Sequence, residues 1–411
     1  MKKHKIELSV ILSLTIVLTL LAFSIGATIS DLNSTENANA EFTYEKYRKA
    51  SPSLCVGVSI EQRLLGDGEE QVVEVLGASN RLYIFVNTTS TTLDFSQGAG
   101  AYICVLDSQL STVAFHYLGE KTLLSALVGE GGFVLCFENG EGVSLALYGF
   151  DCAFIKESKT LEGEFCALKL IDGGYLLSTS VKQNSLSYKR IAIYKVNFDL
   201  EIDFSQTLSS SRNMDFICVY QKGANFLVFF NASSDLGSRL GVTLAGKTSS
   251  VTYLLKDGDY TVDEVLPVSE GFVAIARGEN SGYLIDIDNQ FNSDFAHSFE
   301  GNFSSTSLFF GTGIYYANFE GENNRSIVFE NLVDIKNFDG FKDLKRVDGV
   351  INGNDFALFY GESEKGSVVL GGDYFCALEG KDCHLTLLGG EFFAVTKIEK
   401  DASILLTRLD F

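Results

Sequence analysis

The side chains that most often do chemistry are few and scattered in this chain. Its four histidines are His4, His116, His297 and His384. None lies close to another in the sequence, which gives little support to a histidine-built zinc site or to a Ser-His-Asp triad. We expect His116 and His297 to lie on outer strands, because they occupy similar places in two copies of a repeat described below. His384 is the histidine we consider for a catalytic role.

Cysteine chemistry receives as little support. The eight cysteines show no C-x-x-C spacing, and most lie inside apolar runs, so they are predicted to be small buried hydrophobic side chains. In an exported protein Cys376 with Cys383, or Cys152 with Cys166, could form a disulfide, and the sequence leaves the pairing open. The chain also contains no G-x-S-x-G elbow and no phosphate-binding G-x-x-x-x-G-K-[ST] loop.

Carboxylates are plentiful, and one segment places them as a calcium site would. Segment 286–294 has oxygen-bearing side chains at alternating positions but lacks the central Gly and the terminal Glu of an EF-hand loop. Because it aligns with turns at Asp107 and Asp199, we interpret it as a repeat turn. Segments 257–259 and 66–70 are interpreted as solvated turns. The sequence therefore predicts no catalytic, cofactor-binding or metal-binding residue and no cofactor.

The composition is that of a large folded protein. The 411 residues are 46% hydrophobic, and 53 acidic against 32 basic residues give a net charge of −21. Nucleic acid is an improbable partner for so acidic a chain, because binding it requires clustered Lys and Arg. The absence of Trp excludes repeat classes that depend on a Trp-Asp dipeptide and lowers the expectation of sugar stacking.

The first part of the chain predicts export. Three lysines within the first five residues precede an uncharged, strongly apolar run over residues 8–30. Residues 1–30 are predicted to be a signal peptide or an N-terminal membrane anchor, and either would place the remainder outside the cytoplasm. Ala38-Asn-Ala40 fits a cleavage pattern, although it lies well beyond the apolar run. Residues 31–53 read as a polar spacer.

The rest of the chain repeats. Each copy has a turn residue, a large apolar residue and then alternating apolar residues, and successive copies are 36 to 51 residues apart. The landmark residues are Tyr83, Phe133, Tyr175, Phe226, Phe272, Ile314, Phe356 and Phe392. A second landmark is a strand, an Asp or Asn turn and another strand, found around Asp107, Asn197 and Asp288. Each copy holds about four β-rich runs, and no run shows a sustained helical period.

These features predict an all-β fold, a β-propeller of about eight four-stranded blades preceded by an N-terminal apolar helix. Seven blades is the alternative, since the last copies are short, and a β-sandwich array or a β-solenoid are rival architectures. The propeller would cover residues 54–411. A strand at 54–62 would complete the last blade and leave no free sheet edge. The strand that carries each landmark residue is expected near the centre of the ring.

The repeats resemble a loose family of bacterial secreted β-propeller proteins whose units carry a Gly-Gly-Tyr/Phe strand and then an Asp-Asn/Ser turn. The resemblance covers roughly residues 70–400 and implies a propeller outside the cytoplasm. The chain departs from that pattern in lacking Trp and, in its last three copies, in the Asp turn.

The leading functional hypothesis is an exported or cell-surface, non-catalytic propeller that binds a protein or surface ligand through loops at one end of the ring. It would be a monomer that meets the membrane only through residues 8–30. One alternative is an extracellular hydrolase or lyase with carboxylates at the central channel, and another is an envelope structural or assembly protein. Desolvated carboxylates converging beside His384 would favour the enzyme, and a smooth channel would oppose it.

Overall fold

The computed structural model describes residues 58–409 except 141, 183–187, 247–250, 312, 323, 339–343, 353–355, 364–365, 372–373 and 401. The predicted N-terminal helix of residues 1–30, the spacer of residues 31–53, residues 54–57 and Cys55 lie outside this range. Within the described ranges no helix combines the length and the apolar character needed to cross a membrane.

The described chain forms eight antiparallel sheets of consecutive strands, the blades of a β-propeller. Blade 1 contains β2 (Glu70–Ala78), β3 (Arg81–Thr88), β4 (Gly100–Leu106) and β5 (Thr112–Gly119), with a 3-10 turn η1 (Leu93–Phe95) between β3 and β4. Blade 2 contains β6 (Leu123–Val128), β7 (Gly132–Asn139), β8 (Gly142–Gly149), β9 (Phe154–Glu157) and β10 (Leu161–Glu162). Blade 3 contains β11 (Glu164–Ile171), β12 (Gly174–Lys182), β13 (Lys189–Val196) and β14 (Ile202–Leu208). Blade 4 contains β15 (Asn213–Lys222), β16 (Asn225–Ser234), β17 (Gly237–Ala245) and β18 (Val251–Tyr253).

The second half of the ring follows the same plan. Blade 5 contains β19 (Tyr260–Val268), β20 (Gly271–Gly278), β21 (Ser281–Asp288) and β22 (Ser293–Glu300). Blade 6 contains β23 (Phe303–Gly311), β24 (Ile314–Gly321), β25 (Arg325–Phe329) and β26 (Ile335–Asn337). Blade 7 contains β27 (Lys345–Asn352), β28 (Phe356–Ser363), β29 (Gly366–Gly371) and β30 (Tyr374–Leu378). Blade 8 contains β31 (Lys381–Leu388), β32 (Glu391–Lys397), β33 (Ile404–Leu409) and, from the other end of the chain, β1 (Val58–Leu64).

The ring is closed by β1, which pairs antiparallel with β33 from Val58 opposite Leu409 to Leu64 opposite Ile404. The predicted closure and the prediction of eight blades are therefore confirmed. The observed strand extends two residues beyond the predicted limit of 62. Closure matters because an unpaired outer strand of the last blade would present free N–H and C=O groups to other chains.

The sequence predicted that the landmark strand lies near the ring centre, and in the structure it is the second strand of its blade, next to the innermost strand. The first strands of neighbouring blades contact one another around the ring, and each landmark strand pairs with the first and third strands of its own sheet. Strand β3 is buried along almost its whole length, whereas β2 alternates between buried and half-buried positions. The second strand gives the stronger sequence signal because it is covered on both faces, so its residues form a continuous apolar run.

The core lies between blades rather than within them. Aromatic rings of the landmark strands pack against the next blade's sheet, as Tyr83 does on Phe133 with centroids 4.5 Å apart and Phe229 on Phe272 at 4.9 Å. Each hydrophobic cluster joins strands of two adjacent blades. Such stacked layers hold the first strands at fixed positions around the centre.

The turn between the third and fourth strands recurs with the same hydrogen bonds. Asp107 Oδ1 accepts the N–H groups of residues 109 and 111, Asn197 Oδ1 those of 199 and 201, and Asp288 Oδ1 those of 290 and 292. An apolar residue with positive φ follows in each turn, namely Leu110, Leu200 and Phe291. The interpretation of segment 286–294 as a repeat turn is confirmed, with Asn197 rather than Asp199 as the residue equivalent to Asp288.

Candidate functional site

One irregularity is common to all eight blades and lies on the strand nearest the ring centre. The pairing of the first and second strands shifts register once in every blade, which is the signature of a β-bulge. We call the first paired residue beyond the shift the bulge position. From blade 1 to blade 8 it is occupied by Glu74, Ser125, Ala167, Cys218, Glu264, Ser305, Asp348 and His384.

The bulge positions divide the ring into two arcs. Blades 2 to 4 carry the small side chains Ser125, Ala167 and Cys218, and we call them the small arc. Blades 5 to 8 and blade 1 carry Glu264, Ser305, Asp348, His384 and Glu74, and we call them the acidic arc. The innermost strands of this propeller are therefore repetitive in backbone and asymmetric in chemistry.

Three residues of the acidic arc line one cavity of about 340 Å³, which we call the acidic pocket. Its lining consists of Glu264, Arg346, Val347, Asp348, Tyr360, Glu362, Asp382, Cys383 and His384. Four carboxylates, one phenol and one imidazole thus converge from blades 5, 7 and 8. Only one guanidinium stands against the four carboxylates.

Glu264 is the most perturbed acid of the pocket. Burial raises its pKa to about 7, and the nearby charges of Asp348 and Asp263 act in the same direction. The backbone N–H of Leu308 in blade 6 donates a hydrogen bond to Glu264 Oε2 and opposes the rise. A carboxyl group with this pKa exchanges its proton near neutral pH, as a general acid or base must.

Asp348 is hydrogen-bonded to a backbone N–H group and to the Tyr360 hydroxyl. Its Oδ1 accepts the N–H of Gly349 at 2.7 Å, and its Oδ2 accepts the hydroxyl of Tyr360 at 3.3 Å. Burial raises the pKa of Tyr360, with further contributions from Asp348 and, across the blade boundary, Glu74. Tyr360 therefore remains a neutral hydrogen-bond donor at any ordinary pH.

His384 is buried enough for burial to lower its pKa, although the charges of Asp382 and Asp348 act in the opposite direction. The imidazole is therefore neutral near pH 7. Glu74, the bulge residue of the adjacent blade 1, has its own pKa raised by burial. The acidic arc thus holds two carboxyl groups that resist ionisation beside an imidazole that resists protonation.

Arg346 forms the rim of the pocket and joins three blades. Its Nη1 lies 2.9 Å from Asp382 Oδ1 and 3.3 Å from Glu362 Oε1, while its backbone N–H donates to Glu320 Oε2 at 2.8 Å. Its side chain is 70% exposed, so these ion pairs stabilise little but set the position of the guanidinium. An anionic ligand would therefore be repelled by the carboxylates of the pocket, and the guanidinium of Arg346 is already paired with two of them.

The small arc offers no comparable chemistry. Cys218 packs in the core between blades 4 and 5, where its Sγ donates to Val265 O at 3.6 Å. Burial raises the pKa of the Cys218 thiol to about 12, so it is not a reactive thiolate. Ser125 and Ala167 are half-buried.

The histidines lie where the sequence predicted. His116 is on β5 and His297 on β22, both fourth strands, and His297 Nε2 contacts the carbonyl oxygen of Leu332. His384 lies in the acidic pocket. The criterion of desolvated carboxylates beside His384 is met in part, since Glu264 is desolvated while Asp348 and Asp382 are exposed.

Sequence reasoning missed Glu264, Asp348 and Tyr360. The 53 acidic residues gave no reason to single out any one, and the repeat landmarks were all on second strands. The missing signal was the alignment of first strands. In six blades the bulge residue lies four positions before the residue that pairs at the hairpin end, as Glu264 does before Val268 and His384 before Leu388.

Two other predictions need correction or completion. Glu70, assigned to a solvated turn, is fully buried at the start of β2, where burial raises its pKa and Thr88 Oγ1 donates to its Oε1 at 3.3 Å. No disulfide joins the seven described cysteines, so neither the Cys152–Cys166 nor the Cys376–Cys383 bridge is formed, and five of the seven are buried. Over the described ranges, no group of three or more His, Cys, Asp or Glu side chains is arranged to hold a metal ion.

No family model and no curated protein matches the chain. Among solved structures it is similar to the acylaminoacyl peptidase of Pyrococcus horikoshii, with 7% identity over 83% of this chain and a TM-score of 0.46. The chain spans about half of that peptidase, 51% of its length. It is also similar to Hsv2 of Kluyveromyces lactis, with 10% identity, 83% and 98% of the two chains covered and a TM-score of 0.41. Drosophila Plexin A, solved in complex with Semaphorin 1b, gives 9% identity, 85% and 87% coverage and a TM-score of 0.41. At these values the similarities carry no ligand or activity over to this chain.

Proposed function

We propose that the protein is a ligand-binding β-propeller whose ligand is held in the acidic pocket rather than by loops at one end of the ring. The observation that carries the proposal is the convergence of Glu264, Asp348 and His384 on one cavity, at bulge positions where the small arc has Ser, Ala and Cys. Tyr360 of the neighbouring second strand lines the same cavity. A repeated backbone that needs none of these residues for its fold has them in a single arc. Function on a shared fold is set by such local departures.

The chemistry of the lining defines the class of ligand. Acceptor oxygens predominate over the single guanidinium of Arg346, so the pocket suits a small polar ligand that offers hydroxyl or amine donors and is uncharged or cationic. The Tyr360 hydroxyl and the His384 imidazole add neutral groups for orientation. A phosphate or carboxylate ligand would meet like charges at Asp348 and Glu362.

Calorimetric titration with a panel of sugars, polyols and small amines tests this proposal. We expect at least one class to bind, and Asp348→Asn to weaken its binding by about tenfold, the loss of one charged hydrogen-bond acceptor. Asp286→Asn, an exposed carboxylate on β21, is the matched control and should leave binding unchanged. Binding that Asp348→Asn and Glu264→Gln both leave intact would place the ligand elsewhere and refute the pocket.

A second candidate function is favoured by one observation, the pKa of about 7 at Glu264 beside a neutral His384. A hydrolase or lyase needs such a pair, one group to remove a proton and another to supply one. Incubation of the identified ligand with the protein, followed by mass spectrometry, tests this candidate. Loss of turnover in both Glu264→Gln and His384→Gln, with binding retained, would establish the enzymatic function. A ligand that the protein leaves unchanged would contradict it and support the binding function.

We also propose that the propeller acts outside the cytoplasm, because a basic start and an uncharged apolar run precede it in the sequence. We propose in addition that it is a monomer. N-terminal sequencing of the protein from fractionated cells distinguishes the two forms of export. A start at Glu41 would indicate a cleaved signal, and an intact Met1 in the membrane fraction an anchor. Full-length protein in the cytoplasmic fraction would contradict export, and a dimer on size-exclusion chromatography would contradict the monomer.

A further inference from the structure

A second cavity lies away from the acidic pocket, where the chain passes from blade 4 into blade 5. Its volume is also about 340 Å³. Its walls are the segment 256–259 that precedes β19, the β20–β21 turn at Glu279, and the rings of Tyr260, Tyr283 and Phe295. We call it the aromatic hollow.

The three rings form a connected aromatic surface. The centroids of Phe295 and Tyr283 are 4.9 Å apart, and those of Phe295 and Tyr260 are 5.8 Å apart at an interplanar angle of 83°. A register shift between β21 and β22 beside Phe295 interrupts the regular pairing, and Phe295 is 42% exposed. A large apolar ring left facing solvent beside two partners is available for contact with a ligand.

The segment that forms the other wall is held rigidly. Asp257 accepts two hydrogen bonds from Arg212, which directly precedes β15, and two from Arg239 on β17. The Tyr260 hydroxyl donates to Lys256 O at 2.8 Å, and Gly258 exchanges backbone hydrogen bonds with Ser238. A Cβ on Gly258 would lie 2.8 Å from the Tyr260 ring, so glycine there permits the close approach. The hollow is therefore preformed.

The residues that line the hollow carry more negative than positive charge. Asp257 is engaged by Arg212 and Arg239, neither of which lines the hollow, whereas the exposed carboxylates of Asp259 and Glu279 have no ion-pair partner in the described part of the chain. Lys256 is the basic residue of the wall, and it too is exposed and has no ion pair among the described residues. The aromatic surface is therefore bordered by two carboxylates and one ammonium group that have no ion pair among the described residues.

We propose that the aromatic hollow binds an organic cation, an alkylammonium or guanidinium group whose carbons lie over Phe295 and Tyr283 and whose charge faces Asp259 and Glu279. Aromatic faces attract such cations through the negative charge of the ring face, and adjacent carboxylates reinforce the attraction. The same group could come from a free small cation or from a Lys or Arg side chain of a peptide. The site is separate from the acidic pocket and does not depend on the function proposed for it.

Titration followed by NMR or calorimetry, with tetramethylammonium, a Gly-Lys-Gly peptide and a Gly-Arg-Gly peptide as probes, tests the proposal. We expect millimolar or tighter binding that weakens as salt is added. Choline and its uncharged carbon isostere 3,3-dimethylbutan-1-ol form a matched pair, and the alcohol should bind at least about threefold more weakly than the cation. Equal binding of the alcohol and the cation would reduce the hollow to an apolar patch and overturn the proposal.

Four variants locate the binding. Phe295→Ala should weaken binding of the cation by about threefold to tenfold. The matched control is Phe310→Ala in blade 6, whose side chain is 43% exposed, and it should have no effect on binding. Combined Asp259→Asn and Glu279→Gln should weaken binding and remove its salt dependence. Lys256→Gln should strengthen it, because the competing charge is gone. Binding insensitive to Phe295→Ala and to the carboxylate variants would refute the site.

The same titration separates the two sources. Peptides that bind at least tenfold more tightly than the free cation would identify a basic protein segment as the partner. Equal affinity would identify a free cation. Asp348→Asn in the acidic pocket should change neither result, which keeps the two proposals distinguishable.

Discussion

Blades 2 to 4 and blades 5 to 8 share one backbone plan and differ in what they place at the ring centre. Each first strand carries a bulge, and the residue beyond it is small throughout the small arc. In the acidic arc it is titratable in every blade except blade 6, which has Ser305. The backbone and the side chains of a blade therefore meet different requirements. The fold requires the bulge in every blade, and the pocket requires particular side chains in only some of them.

The largest effect should come from moving acidic chemistry into the small arc. Cys218→Glu places a carboxylate in a packed core position whose neighbours offer no cavity, and we expect a loss of about 2–4 kcal/mol of unfolding free energy from overpacking and desolvation. Urea unfolding measures it. Cys218→Ala, the control, should cost about 1 kcal/mol. A Cys218→Glu variant as stable as the parent would show that the bulge position accepts a carboxylate in any blade.

Removing the acidic group of Glu264 should change how the unfolding free energy depends on pH. The unfolded chain ionises Glu264 near its ordinary pKa of 4.5 and the folded protein near 7, so ionisation of this group favours unfolding, and its contribution to stability falls as pH rises between those values. Glu264→Gln removes that fall. We therefore expect a smaller difference in unfolding free energy between pH 5 and pH 8 than in the parent.

His384 contributes with the opposite sign, because its lowered pKa makes the folded protein lose stability as pH falls below about 6.5. Because burial also raises the pKa of Glu70 and of Glu74, the Glu264→Gln variant should keep a smaller fall of stability with pH, which His384 offsets in part. Glu300→Gln, an exposed glutamate on β22, should leave the parent profile unchanged. A parent profile retained in Glu264→Gln would mean that Glu264 is not the group that titrates near 7.

A smaller effect should follow removal of one hydroxyl. Tyr360→Phe deletes the hydrogen bond to Asp348, and we expect a loss of about 0.5–1.5 kcal/mol in stability and a weaker pocket ligand. The control is Tyr117→Phe on β5, outside the lining of the pocket, where the Tyr117 hydroxyl donates to Ala99 O at 2.9 Å. It should cost a similar amount of stability and leave ligand binding unaltered, and equal effects of both variants on binding would remove Tyr360 from the pocket.

The smallest effect should be at the rim. Arg346→Gln breaks ion pairs whose guanidinium is largely exposed, so we expect a change in stability below about 1 kcal/mol. Affinity for a cationic pocket ligand should rise, because a positive charge is removed from beside Asp382 and Glu362. Isothermal titration measures the change, and a fall in affinity for that ligand would contradict the proposed electrostatics.

Sequence reasoning reached the fold because the second strands are buried on both faces. Residues such as Tyr83 and Phe133 must then be apolar, and their spacing exposes the repeat and the number of blades. It did not reach the pocket for the converse reason. First strands border the centre, tolerate both Ala167 and Glu264 at equivalent places, and leave no periodic pattern to read.

The partners within the pocket were equally hidden. Tyr360 belongs to a second strand and reads as core, and its contact with Asp348 exists only because β27 and β28 pair across a bulge. Arg346 reaches residues of blades 6 and 8. Such contacts depend on the curvature of the ring, which local sequence does not encode.

The closing strand has a consequence for the order in which the molecule can be completed. Because β1 is the earliest strand and β33, its partner, the last, blade 8 cannot form until nearly the entire propeller has left the ribosome. Co-translational folding would then proceed blade by blade from blade 1 while β1 waits unpaired. A circular permutant that joins β33 to β1 by a short linker and opens the chain between two other blades would make that last pairing local, and it should refold faster than the parent with little change in final stability.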